Sequence, residues 1–158
     1  MSEEITVYRI CKTKYALTAF DGEGAFRFGG RWNLRGTRII YTAGSLSLAA
    51  LEMLVHLDDD SMLFKYSYIQ AQIPPGLILK IEEFRRLPKD WSASPAPLIA
   101  QKIGDDWAKS GISAVLEVPT SIIPLEKNYL LNPLHPDYSQ IILGIPEEFS
   151  FDARLAKK

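Results

Sequence analysis

The sequence predicts an α+β fold with a mostly antiparallel sheet, in a single domain over residues 1–158. Short β-prone runs recur along the chain, and only two stretches read as substantial helices. The last third is a series of brief strands punctuated by Pro and Asn. With 47% hydrophobic residues, a chain of 158 residues can bury roughly 70% of its unfolded surface. Nothing resembling a linker, repeat or low-complexity tract divides it.

The first strand is ITVYRIC, Ile5 to Cys11, β-branched and aromatic, with Arg9 among apolar neighbours. The stretch holding Gly22, Gly24, Gly29, Gly30 and Gly36 is too glycine-rich for a helix and reads as loop. Arg38 to Thr42 predicts a second strand carrying Tyr41. Ser45 or Ser47 caps a helix to about Leu57, ended by the acidic run at 58–60. Phe64 to Ile73 and Leu77 to Ile81 predict a hairpin turned at Pro74-Pro75-Gly76. A Pro-rich loop leads into a helix from Leu98 to Lys109, stopped by Gly111. Strands are then expected at Ile112 to Val118, Ile122 to Pro124, Tyr129 to Leu131 and Tyr138 to Ile145.

Composition excludes several classes. The N-terminus MSEEITVYRI has no apolar signal region and no run approaches a membrane span, so the expected compartment is the cytoplasm. One cysteine, Cys11, and two histidines give no disulfide and no metal-ligating set. A net charge of −1 gives the chain no electrostatic reason to seek nucleic acid or an anionic membrane.

The local distribution says more. Between Ala25 and Leu51 stand Arg27, Arg31, Arg35 and Arg38, with no lysine and no acid, a local charge of about +4. A dinucleotide fingerprint fails, because Arg27 stands where Gly22-x-Gly24 needs its third glycine, and no phosphate-loop or nucleophile-elbow pattern occurs. What remains is a flexible backbone with guanidinium forks suited to phosphate oxygens, Arg31 after Gly29-Gly30 being best placed. A basic loop open to water fits the same spacing.

Glu52 interrupts LSLAALEMLVHL, a helix apolar on nearly every side and hence expected to be buried. Ser45, Ala49, Glu52 and His56 fall on one narrow stripe. Such a stripe suits a helix lining a ligand cavity, a helix with a thin wet face, or a structural ion pair with arginine. His56 and His135 are more simply structural than catalytic, and Trp32, Trp91 and Trp107 are packing aromatics, Trp32 being placed to shape a pocket wall.

The order of motifs adds a resemblance. YRI at 8–10, GGRWN at 29–33, IIYTAGSLSLAALEMLVHL at 39–57 and VPTSIIPLEKNYLLNPLHPDYSQI at 118–141 together resemble the RES domain family over nearly the whole chain. The resemblance implies a fold similar to ADP-ribosyltransferase toxins and an NAD-degrading toxin activity. The family's arginine, tyrosine and glutamate fall on Arg31, Tyr41 and Glu52, and its serine on Thr120, with Ser121 beside it.

By that resemblance Arg31 holds a pyrophosphate or acceptor phosphate, with Gly30 letting the backbone approach, and Tyr41 bounds the nicotinamide side. Glu52 stabilises positive charge on the ribose as the N-glycosidic bond breaks. Thr120 or Ser121 bonds ribose or phosphate, and Arg9, Asn128 and Asn132 line the same cleft. NAD is then substrate rather than cofactor, and inorganic phosphate, water or a protein is the acceptor. The implied partner is a helix-turn-helix antitoxin, through which any DNA contact would run. Two other classes stay open: a non-catalytic module holding a phosphorylated ligand or acidic segment, and an RNA-cleaving toxin using His56 and Arg31.

Overall fold

The computed structural model describes residues 3–58, 60–61 and 64–155. Among them, eight strands form one sheet: β1 Ile5–Lys12, β2 Ile40–Ala43, β3 Tyr66–Ile73, β4 Ile78–Lys80, β5 Val115–Pro119, β6 Lys127–Leu131, β7 Ile142–Leu143 and β8 Glu147–Phe149. The helices are α1 Glu23–Phe28, α2 Leu46–Leu54, α3 Ile81–Phe84 and α4 Leu98–Ser110. Strand order is β4-β5-β6-β2-β1-β3-β7, with β8 also on β3. Every pairing is antiparallel except β4 with β5. The expected α+β, mostly antiparallel architecture is the one found.

The sheet consists of two half-sheets whose ladder to each other is short, although their side chains share one core. β1 pairs β3 from Ile5↔Ile73 to Lys12↔Tyr66, its full length, and β2 pairs β6 from Ile40↔Leu131 to Ala43↔Asn128. At the seam between β1 and β2 the only register pair is Tyr8↔Ala43.

Strand alternation sorts the side chains between two faces. Val7, Ile40, Ala71, Val115 and Leu131 meet in a core on one face. On the other, α4 lays Ala100, Ile103 and Trp107 against Leu116, Val118 and Leu130. On that same face α2 lays Leu48 and Ala49 against Ile10 and Ala43, with Tyr8, Met53, Phe149 and Phe151 packed around them. In the row Tyr8, Ala43, Asn128, α2 thus covers Tyr8 and Ala43, and α4 packs on Val118 and Leu130 beside Asn128.

Several expectations are corrected. The Pro74-Pro75-Gly76 turn does not close a hairpin: β1 occupies one edge of β3 and β7 and β8 the other, so β4 crosses to pair in parallel with β5. The glycine-rich stretch contains α1, whose Gly24 has nothing within 4 Å of its missing side chain. β2 begins at Ile40 rather than Arg38. Ile122 to Pro124 is a bend, because the Thr120 hydroxyl accepts the Ile123 N–H at 2.8 Å and turns the chain. Tyr138 lies in a 3₁₀ turn, Pro136–Gln140, before the short β7.

Ser45 is the cap of α2, its hydroxyl oxygen accepting the Leu48 N–H at 3.1 Å. The helix stops at Leu54, short of Leu57, as 3₁₀-type bonds from His56 N–H to the Met53 carbonyl and Leu57 N–H to the Leu54 carbonyl tighten its end. Of the expected acidic stop, Asp59 lies outside the described residues. Nor is α2 buried all round: Leu51 is 38% exposed, and Val55, just past its end, 55%.

Candidate active site

Glu52 is half-buried on α2, and Oε1 accepts a hydrogen bond from Asn128 Nδ2 of β6 at 3.0 Å. Asn128 is directly paired with Ala43, which pairs with Tyr8 across the seam. Ala43, the small residue in the middle of the row, is buried under Leu48 and Ala49, which lets α2 lie close to the sheet there. Two residues along β2 from Ala43, Tyr41 is on the same face.

Tyr41 builds the opposite wall through its hydroxyl. It accepts the Trp32 N–H at 2.9 Å and donates to Asn33 Oδ1 at 2.7 Å. Burial, its largest cause, raises the phenol's pKa far above the usual range. Gly30 makes this approach possible, since a Cβ there would lie 2.7 Å from the Tyr41 oxygen. Gly30 therefore acts by letting Tyr41 reach the loop. Replacing Tyr41 by Phe would strand the Trp32 donor and the Asn33 acceptor, so Tyr41→Phe is expected to lose about 1–3 kcal/mol of stability, measured by thermal or denaturant melting.

The loop carrying Arg31 is anchored from behind by α4. Asp105 Oδ1 accepts the Leu34 N–H at 3.0 Å, Gln101 Nε2 donates to the Gly30 carbonyl at 3.0 Å, and Asn33 Nδ2 donates to the Ala25 and Thr37 carbonyls. Asp105 and Asn33 are buried polar residues that sequence reasoning missed. A buried-side Gln and Asp at i and i+4 of α4 was the available signal.

Arg31 Nη1 donates to the Trp91 and Ala93 carbonyls at 3.0 and 2.9 Å, while Trp91 stacks on Trp32 with ring centroids 5.8 Å apart. These acceptors are neutral, and neither Arg31 nor Arg9 forms an ion pair among the described residues. Arg31 thus keeps its charge uncompensated. Arg27 and Arg38 do not, because both pair with Glu23, just upstream of the acid-free stretch, at 2.7 and 2.8 Å. The local excess is smaller than the sequence suggested.

Other expected site residues fall elsewhere. Arg9 shares the face of Val7 and Cys11, the reverse of the Glu52 face, and reaches the seam only by donating from Nη1 to the Tyr41 carbonyl at 3.0 Å. Burial lowers its pKa, opposed by Cys11, Asp21 and Tyr138. Asn132 is buried, with Nδ2 on the Ala108 carbonyl and Oδ1 on the Leu134 N–H, both about 3.0 Å. It holds the chain after β6 and presents neither amide end to the cleft. His56 is exposed past the end of α2, outside the proposed stripe, and His135 Nδ1 accepts the Asp137 N–H to start a 3₁₀ turn.

Thr120 is 1% exposed and Ser121 half-buried beside it, at the end of β5. Since the Thr120 hydroxyl oxygen is taken by Ile123 N–H, Thr120→Ser is expected to fold like the parent. Thr120→Ala is expected to lose about 1 kcal/mol, a fall in Tm of roughly 2–4 °C for a chain of this size.

These features define the class: an α+β protein with one mostly antiparallel sheet, which carries on one face the half-buried Glu52, bonded to Asn128, and Tyr41, bonded to the loop whose Arg31 forms no ion pair among the described residues. The RES domain model matches residues 6–152, and the chain belongs to the RES domain family. Similar proteins include Toxin Res of Yersinia enterocolitica, 39% identical over 150 residues and covering 94% of this chain and 98% of that one. The Prs ADP-ribosylating toxin of a Sphingobium species is 35% identical over 146 residues, 91% of each chain. The fold matches a chain of the M. tuberculosis MbcT–MbcA toxin–antitoxin complex with a TM-score of 0.77 at 19% identity, over 93% of this chain and 85% of that one. Among the described residues, no helix is long and apolar enough to cross a membrane.

Proposed function

We propose that this protein is the toxin of a toxin–antitoxin pair and that it cleaves the nicotinamide–ribose bond of NAD, passing ADP-ribose to inorganic phosphate or water. The observation that carries this reading is the Glu52 carboxylate, held by Asn128 on the same sheet face as the Arg31–Tyr41 wall. As nicotinamide leaves, the ribose acquires oxocarbenium character. A fixed carboxylate stabilises that charge more than it stabilises bound NAD, which lowers the barrier.

Arg31, with Nη1 on main-chain carbonyls, offers its remaining donors to the pyrophosphate or to an acceptor phosphate. Ser121, half-buried at the end of β5, is the hydroxyl available to a ribose or phosphate, and the buried Thr120 holds the turn beside it. An antitoxin with a helix-turn-helix domain is the partner; Leu51 and Val55, exposed on α2 and just past its end, are apolar surface for it to cover. Relatives named Toxin Res support the toxin role.

The name of the Sphingobium relative favours a second reading, in which the acceptor is a protein side chain. One assay separates the two. Nicotinamide release by the purified, antitoxin-free protein is followed with and without phosphate and then with host lysate. Turnover that needs phosphate makes it a phosphorylase, phosphate-independent turnover a glycohydrolase, and label transfer only in lysate a protein ADP-ribosyltransferase. No release in any arm would remove the NAD reading.

A further inference from the structure

Asn128 carries a feature that stability alone does not explain. It lies on a strand, where Asn is disfavoured, and its register partners Ala43 and Val118 are both apolar and without side-chain donors. Its Oδ1 is buried with no hydrogen-bond partner. The amide cannot turn to relieve this, because a carboxylate only accepts: reversing it would set Oδ1 against Glu52 Oε1 in place of the 3.0 Å Nδ2 bond. A buried orphan acceptor is costly, and an apolar side chain would suit the site better.

Glu52 rides on α2, which packs against Ile10 and Tyr66 of the β1–β3 half-sheet as well as against Ala43 of β2. Asn128 belongs to β6, in the other half, together with Leu130 paired to Tyr41. Their bond joins residues 76 apart in sequence and ties α2 to β6 near the short β1–β2 ladder, whose register pair is Tyr8↔Ala43. It also fixes a flexible side chain by one oxygen, leaving Oε2 as the atom free to face a ligand.

We propose that Asn128 is a positioning residue: it acts through Glu52, setting the carboxylate against the Arg31–Tyr41 wall across the seam, and does not itself bind substrate. The proposal rests on the reading of Glu52 given above and names what holds that residue in place.

Asn128→Leu removes the donor and the orphan acceptor together. It is expected to keep or raise Tm while kcat for nicotinamide release falls roughly 10–100-fold and KM changes less than about threefold. Asn128→Asp keeps the shape but sets a second acceptor against Oε1; it is expected to lose at least as much kcat and to melt lower than the parent. A raised KM with unchanged kcat would make Asn128 a substrate contact, and full kcat in Asn128→Leu would remove its role; either overturns the proposal. A substrate-free arm compares Tm for the parent, Asn128→Leu, Glu52→Leu and the double variant. Coupling through the bond is expected to make the shifts non-additive by roughly 2–4 °C, and additive shifts would overturn the proposal even if the parent turned over no NAD.

Discussion

Glu52→Gln is expected to leave the fold intact and to reduce nicotinamide release by roughly 10²–10⁴-fold, the range lost when a positioned charge or proton-transfer group is removed. Gln keeps an oxygen that can accept the Asn128 Nδ2 hydrogen, which in the parent is bonded to Glu52 Oε1 at 3.0 Å, so α2 stays tied to β6. What disappears is the negative charge. In the proposed function ground-state binding of NAD rests on the arginine loop, so KM is expected to move little while kcat collapses. Steady-state kinetics and melting on the same preparation check both halves, and growth of cells expressing the variant reports whether toxicity follows NAD loss. A variant with full turnover would take catalysis away from Glu52.

Gly104→Ala is expected to be the most damaging small substitution in the molecule. The added methyl would sit 1.7 Å from the Trp32 carbonyl oxygen and 2.7 Å from its carbon, and the obstacle is backbone, which cannot swing away. In an ordinary helix interior the change would gain about 1 kcal/mol. Here overpacking costs about 1–3 kcal/mol or more, and the displaced strip bears Arg31 and is pinned to α4 by Gln101 and Asp105. A net loss near 2 kcal/mol corresponds to a Tm fall of roughly 4–8 °C. Binding of NAD is expected to weaken with it, read as a raised KM. Unchanged Tm and KM would mean that α4 does not support the arginine loop.

Local chemistry made most elements legible. β-branched periodicity located β1, β3 and β6, the Ser45 cap opened α2, and Gly111 with φ of 66° closed α4. What local chemistry could not give was neighbourhood. Pro74-Pro75-Gly76 has the composition of a hairpin turn, yet whether β4 folds back on β3 depends on whether an edge of β3 is free, and residues 5–12 and 142–149 decide that.

The same limit governs the site. Glu52 stood out because an acid interrupts an apolar helix, and Arg31 because glycines precede it. Arg9 and Asn132 were drawn to the cleft by their motifs, but a side chain's face on a strand and the partners of a buried amide are tertiary facts. Asp105 and Asn33, which hold the loop in place, look like ordinary polar residues until α4, which carries Asp105, docks on the loop that carries Asn33.

The distance in sequence between β2 and β6 has a temporal consequence. β2 finds its full-length partner only in β6, nearly ninety positions later, and the Glu52–Asn128 bond closes over 76 residues. Chains with such distant contacts pay loop-closure entropy before any contact rewards it, and they assemble slowly. While the ribosome is still upstream of residue 127, α2 exists without the strand that orients its carboxylate. If Glu52 acts as proposed, a nascent chain is harmless until β6 is made, and a neutralising partner made alongside it has that interval in which to arrive.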